Sequence, residues 1–159
     1  MQPQLTTEDR SWADRCDRAE ERNWAMGAHL SALIAAVGFP FGNILGPLAV
    51  LLFGGNRSPF VAGHAKASLN YQLTISLLGV LASVAALGAV LAFVVAPGIA
   101  GESKAGLDAG GLRFLAVWFA LGAGFLLVFV LSLVWIVMGA IAAGNGRPYV
   151  YPLAIRFLR

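Results

Sequence analysis

Outside its first 22 residues the chain holds two histidines, His29 and His64, and two carboxylates, Glu102 and Asp108. These are the groups that could move a proton or ligate a metal, and their spacing serves neither role. Neither histidine has a second ligand at metal-binding spacing. No HExxH, G-x-S-x-G or Walker pattern occurs, and Ser103 beside Lys104 is a loop dipeptide, not a Ser–Lys dyad. An acid–base pair would have to come from Glu102 and Asp108, both within the glycine-rich stretch GIAGESKAGLDAGG. We therefore expect no enzyme: no catalytic residue, no metal ligands and no cofactor. The single Cys16 excludes an internal disulfide.

The more informative polar residues open an apolar run, in SPFVAGHAKASLNYQLTIS from Ser58 to Ser76. Ser58 is a good helix N-cap and Pro59 a good first helical residue. On such a helix His64, Ser68, Gln72 and Ser76 form one slowly turning row, and Lys66, Asn70 and Thr74 form another, roughly opposite. Polar side chains on two sides suit protein or water contact better than flat lipid contact. Three uses compete. The residues meet headgroups and water; or Asn70 and Gln72 form a packing network between helix ends; or Arg57, His64 and Lys66, with the positive helix N-terminus, contact an anion or headgroup.

The elements that position these residues are set by composition. Of 159 residues 58% are hydrophobic and 12% charged, with a mean hydropathy of +0.76, well below the roughly 25% charged residues of soluble domains. Residues 73–95 and 114–143 carry no charge, and each is long enough to span a bilayer. Trp24 to Val37 and Ile44 to Phe53 are shorter, about 21 Å and 15 Å as helices against a hydrocarbon core of roughly 30 Å. GFPFGN breaks the chain between them. They form a short hairpin, either re-entrant or two short passes, with Pro47 expected in the first turn of its second arm.

Residues 1–22 hold four arginines and six acids and read as a charged cytoplasmic leader. Residues 23–159 read as the transmembrane helical domain. Leader, Gly54–Lys66 connection and tail hold four, two and three basic residues, which puts both termini in the cytoplasm. The tail GNGRPYVYPLAIRFLR alternates like an extended segment, with Arg147, Arg156 and Arg159 available to anionic headgroups. No cluster of cations with interleaved aromatics suggests nucleic acid. The fold class is thus all-α integral membrane: four helical elements and an extended C-terminal tail.

ERNWAMGAHLSAL, FPFGNILGPL, SPFVAGHAKASLNYQ and NGRPYVYPLAIRF, in that order, resemble the blocks of a bacterial membrane family of unknown function. That family is often grouped with the twenty-kilodalton subunit of the chloroplast inner-envelope translocon (Tic). The resemblance implies a small helical protein of the bacterial inner membrane and, by analogy, a part in protein translocation. It carries no catalytic residues. The expected partners are the lipid bilayer and either a membrane protein or a second copy. The expected role is a non-catalytic scaffold or accessory subunit. The alternative is a small channel or carrier with a polar cavity lined by His64, Asn70 and Gln72.

Overall fold

A computed structural model of the chain describes residues 7–38, 41–92 and 109–159. The loop carrying Glu102, Lys104 and Asp108 lies outside them, as does the side chain of Cys16. Among the described residues every regular element is helical. Helix α1 spans Thr7–Leu30 and passes into a 3-10 helix at Ser31–Val37. Helix α2 spans Gly42–Gly54, α3 Pro59–Val90 and α4 Ala109–Gly144, followed by a tail without regular structure.

Local chemistry explains the boundaries. Nothing between Arg22 and Trp24 interrupts helix formation, so the charged segment and the first apolar stretch share α1. Phe41, held at a φ of 58°, opens α2, and its carbonyl accepts from the Ile44 and Leu45 amides. The helix therefore starts two residues before Ile44, and Pro47 falls in the second turn. Ser58 caps α3 as its type suggests: its hydroxyl accepts from the Val61 amide at 3.3 Å.

The chain divides into two compact units, Met1–Thr74 with Val134–Arg159, and Ile75–Leu133. In the first, α2 packs back on α1 and the 3-10 helix. This hairpin needs small residues. A Cβ on Gly46 would stand 2.5 Å from the Ser31 carbonyl oxygen, backbone that cannot yield. Ala28, Val50, Val61 and Ala65 form the apolar core, with Trp24 and Leu51 packed on it.

The second unit has the opposite distribution. Its large side chains are exposed, Phe119 and Phe125 among the most, and Phe125 stacks on Phe129 within α4. The hydroxyl of Ser83 donates to the Gly79 carbonyl at 2.8 Å, so even this polar group is satisfied within its own helix. Apolar patches beyond a few hundred Å² are rare on soluble proteins. Pro59–Val90 and Phe114–Gly144 are 32 and 31 residues long and apolar enough to cross a membrane. At about 1.5 Å per residue each exceeds the roughly 30 Å hydrocarbon core, leaving turns of α3 and α4 for the polar unit.

Candidate functional site

The first eighteen residues of α3 carry both polar rows, and the first unit buries most of them. His64 is 3% exposed, Ser68 0%, Asn70 6% and Gln72 4%. The two rows meet different partners. Lys66, Asn70 and Thr74 face the tail's backbone. The Asn70 amide donates to the Leu158 carbonyl at 3.0 Å, and its oxygen accepts from the Leu158 amide at 2.8 Å. The Ile155 amide donates to the Thr74 hydroxyl at 2.9 Å, and that hydroxyl donates back to the Asn70 carbonyl at 2.7 Å. Lys66 donates from Nζ to the Arg159 carbonyl oxygen at 2.7 Å. An extended chain presents unpaired amides and carbonyls, as a strand edge does, and a side-chain amide offers the matching donor and acceptor.

The other row faces side chains. His29 from α1 stands between Tyr151 of the tail and His64 of α3. Its Nδ1 lies 2.8 Å from the Tyr151 hydroxyl, and its Nε2 lies 2.8 Å from His64 Nδ1. Gly139 of α4 makes room for the ring: a Cβ there would sit 2.9 Å from His29 Nδ1. Tyr151 stacks on Tyr71 with centroids 4.3 Å apart, Tyr71 meets Trp135 edge-on, and Phe60 packs on the His64 ring at 4.6 Å.

Protons in this chain can run in one of two directions. Burial pushes the Tyr151 phenol above its ordinary value, only partly opposed by the neighbouring Ser68 hydroxyl, so Tyr151 holds its proton at neutral pH. If it donates to His29 Nδ1, then His29 donates from Nε2 to His64 Nδ1, and His64 carries its own proton on Nε2. In the reverse direction His64 Nε2 is a bare lone pair. The Arg147 backbone lies beside the His64 ring, and a carbonyl neighbour suits an N–H better than a lone pair, which favours the first direction. Hydrogen-bond geometry is nevertheless unmet at His64 Nε2, as it is at Ser68 Oγ and Gln72 Nε2. Gln72 engages only through its oxygen, which accepts from the Asn43 amide at 3.4 Å.

The residues singled out from the sequence thus separate. Arg57 joins neither His64 nor Lys66. It forms an ion pair with Glu20 and sits 5.0 Å over the Trp24 ring, whose indole N–H also donates to Glu20. His64 is enclosed with His29, and Lys66 reaches the tail's end. Asn70 and Gln72 contact different elements, the tail and α2. His29 and Tyr151 were not singled out as site residues. The signals available were small residues flanking His29 (Ala25, Ala28, Ala32) and the period-two spacing that puts Tyr149 and Tyr151 on one side of the tail. Among the described residues no cluster of three or more His, Cys, Asp or Glu is placed to hold a metal.

Residues 20–158 match the profile of MamF_MmsF, the magnetosome magnetite crystal formation protein family. No curated protein and no solved structure matches the chain significantly. The match agrees with a bacterial membrane family and does not extend to the plastid translocon grouping.

Proposed function

The chain belongs to the magnetosome magnetite crystal formation protein family, and on that premise we propose that it is a non-catalytic membrane accessory protein. Its apolar helices hold a polar-cored unit at the membrane, where it packs with itself or with a larger membrane complex. In the process that the family's description names, its part is to organise rather than to react. The observation that carries this reading is the double hydrogen bond between Asn70 and the Leu158 backbone. It spends the entrance's best polar side chain inside the molecule, as a scaffold would and a conduit would not. We place both termini in the cytoplasm of the bacterial inner membrane, on the strength of the Lys and Arg distribution. Protein translocation has no support beyond the plastid resemblance.

The channel or carrier reading rests on the buried, unmatched atoms His64 Nε2, Ser68 Oγ and Gln72 Nε2, which a passing solute or proton could use. One experiment separates the two. The purified chain is reconstituted in liposomes, and proton and potassium flux are followed under a gradient. A scaffold leaves flux at the level of empty liposomes, and mild-detergent pull-down from cross-linked membranes recovers either a defined membrane protein or the chain itself. Flux that is abolished by Gln72→Leu would establish the conduit instead.

A further inference from the structure

Between the first turns of α3 and the tail lies a groove of about 510 Å³, whose lining includes Lys66, Arg156 and Arg159. Among the described residues no Asp or Glu side chain lines it and none forms an ion pair with these three cations, whereas Arg57 is neutralised by Glu20. The groove's other strong polar group, the Asn70 amide, is occupied by Leu158. What remains is positive charge. Lys66 donates one proton to the Arg159 carbonyl, leaving two ammonium donors, and each guanidinium has a fork suited to phosphate.

The surrounding surface decides which phosphate. Leu153 of the tail is 83% exposed, and Val150, Ile155 and Phe157 are exposed beside it. A soluble anion would leave those side chains in water, while a lipid would cover them. We propose that this groove binds the headgroup phosphate of an anionic phospholipid, with Arg156 and Arg159 gripping the phosphate, Lys66 closing the α3 side, and the exposed tail side chains against the acyl chains. The lipid then braces the same tail that Asn70 and Thr74 hold by its backbone.

The full chain in mild non-ionic detergent can be titrated with phosphatidylglycerol or phosphatidylcholine of identical chains, and adducts counted by native mass spectrometry. Phosphatidylglycerol should be retained preferentially. A cation near an anionic surface contributes about 1 kcal/mol, roughly a fivefold preference. Replacing Arg156→Gln and Arg159→Gln together should therefore cut the preference by about 25-fold. Arg18→Gln, exposed on α1 and outside the groove, should leave it unchanged. If the double variant fails to fold, Lys66→Gln carries the test with a loss of about fivefold. Equal retention of the two lipids, or an unchanged preference in the variants, would overturn the proposal. Displacement of the lipid by millimolar inorganic phosphate, regardless of acyl length, would reassign the groove to free phosphate and overturn it too.

Discussion

Two rows of side chains run along the same turns of α3, at the same four-residue spacing and mostly buried, and they fare differently. Lys66, Asn70 and Thr74 are matched to the tail's backbone at each step. His64 and Gln72 are matched in part, with one atom of each left over, and the one polar atom of Ser68 is unmatched. The difference lies in the kind of partner. The first row lies along the tail's backbone, and Arg159, Leu158 and Ile155, spaced by one and three residues, supply its donors and acceptors. A backbone carries a donor and an acceptor at nearly every residue, so some group is in reach of each position. The second row must rely on single side chains from α1, α2 and the tail. A buried polar residue stabilises a fold when the opposing element can supply partners within its reach. Polarity alone tells nothing.

The strongest way to break the comparison is to collapse the histidine chain from outside both rows. A methyl group on Gly139 would press on His29 Nδ1 at 2.9 Å, and the ring is fully buried and held at both nitrogens. Gly139→Ala should cost about 3 kcal/mol, the upper range of overpacking, read as the shift in unfolding midpoint on denaturing-detergent titration. A shift of less than a third of that would mean that the ring can move, and that His29 is not the fixed centre of its row.

Next in size is the matched row itself. Asn70→Ala leaves both Leu158 backbone groups without their partner. Hydrogen bonds in membrane proteins average about 0.6 kcal/mol and reach up to about 1.7, so losing two should cost about 2 kcal/mol. Proteolysis of the tail should accelerate in parallel. Lys66→Gln, which loses one half-exposed contact, should stay within about 0.5 kcal/mol. A larger loss at Lys66 than at Asn70 would reverse the gradient from wet rim to buried clasp.

Much of this arrangement was legible in the sequence, and the illegible part has a common cause. Uncharged length marked the two long helices, Ser58 and Pro59 marked the start of α3, and i, i+4 spacing separated its two rows. Alternation marked the tail as extended. What could not be read was contact between residues distant in sequence. His29 pairs with His64 across 35 residues and with Tyr151 across 122, and no local pattern encodes such pairs. Treated singly, each histidine looked idle. The start of α2 was misplaced for a different reason: Phe41 adopts a left-handed conformation usually left to glycine or asparagine. Its type gave no sign of that.

Tyr151→Phe tests the direction of the proton chain. It removes the donor to His29 Nδ1 while keeping the ring stacked on Tyr71, and should cost about 1 kcal/mol. Nitrogen-15 chemical shifts should show His64 leaving its Nε2-protonated form. Because burial raises the Tyr151 phenol, the folded state keeps this proton when the unfolded chain has lost it. The contribution is therefore full below the ordinary tyrosine value near 10 and declines as pH rises past it. Wild type should lose stability over that alkaline range, and Tyr151→Phe should lose less. Parallel alkaline curves would detach the phenol from the chain.

The smallest effect is expected where the comparison is most exposed to failure. Ser68 is fully buried, and its hydroxyl lies beside Tyr151 without meeting hydrogen-bond geometry. A buried hydroxyl left unmatched carries a desolvation cost of about 1–3 kcal/mol. Deleting it removes that cost, against the loss of a little packing and of a weak attraction to the phenol. Ser68→Ala should therefore be neutral or up to about 1 kcal/mol more stable, in contrast to Asn70→Ala two positions along. The phenol of Tyr151 should also ionise at still higher pH, since Ser68 is the neighbour that eases its ionisation. Both readouts come from one variant, an unfolding midpoint and a tyrosinate absorbance titration. A destabilisation beyond about 1 kcal/mol would show that Ser68 is hydrogen-bonded in the membrane, that its row is as well matched as its neighbour, and that the tail's backbone is not what separates them.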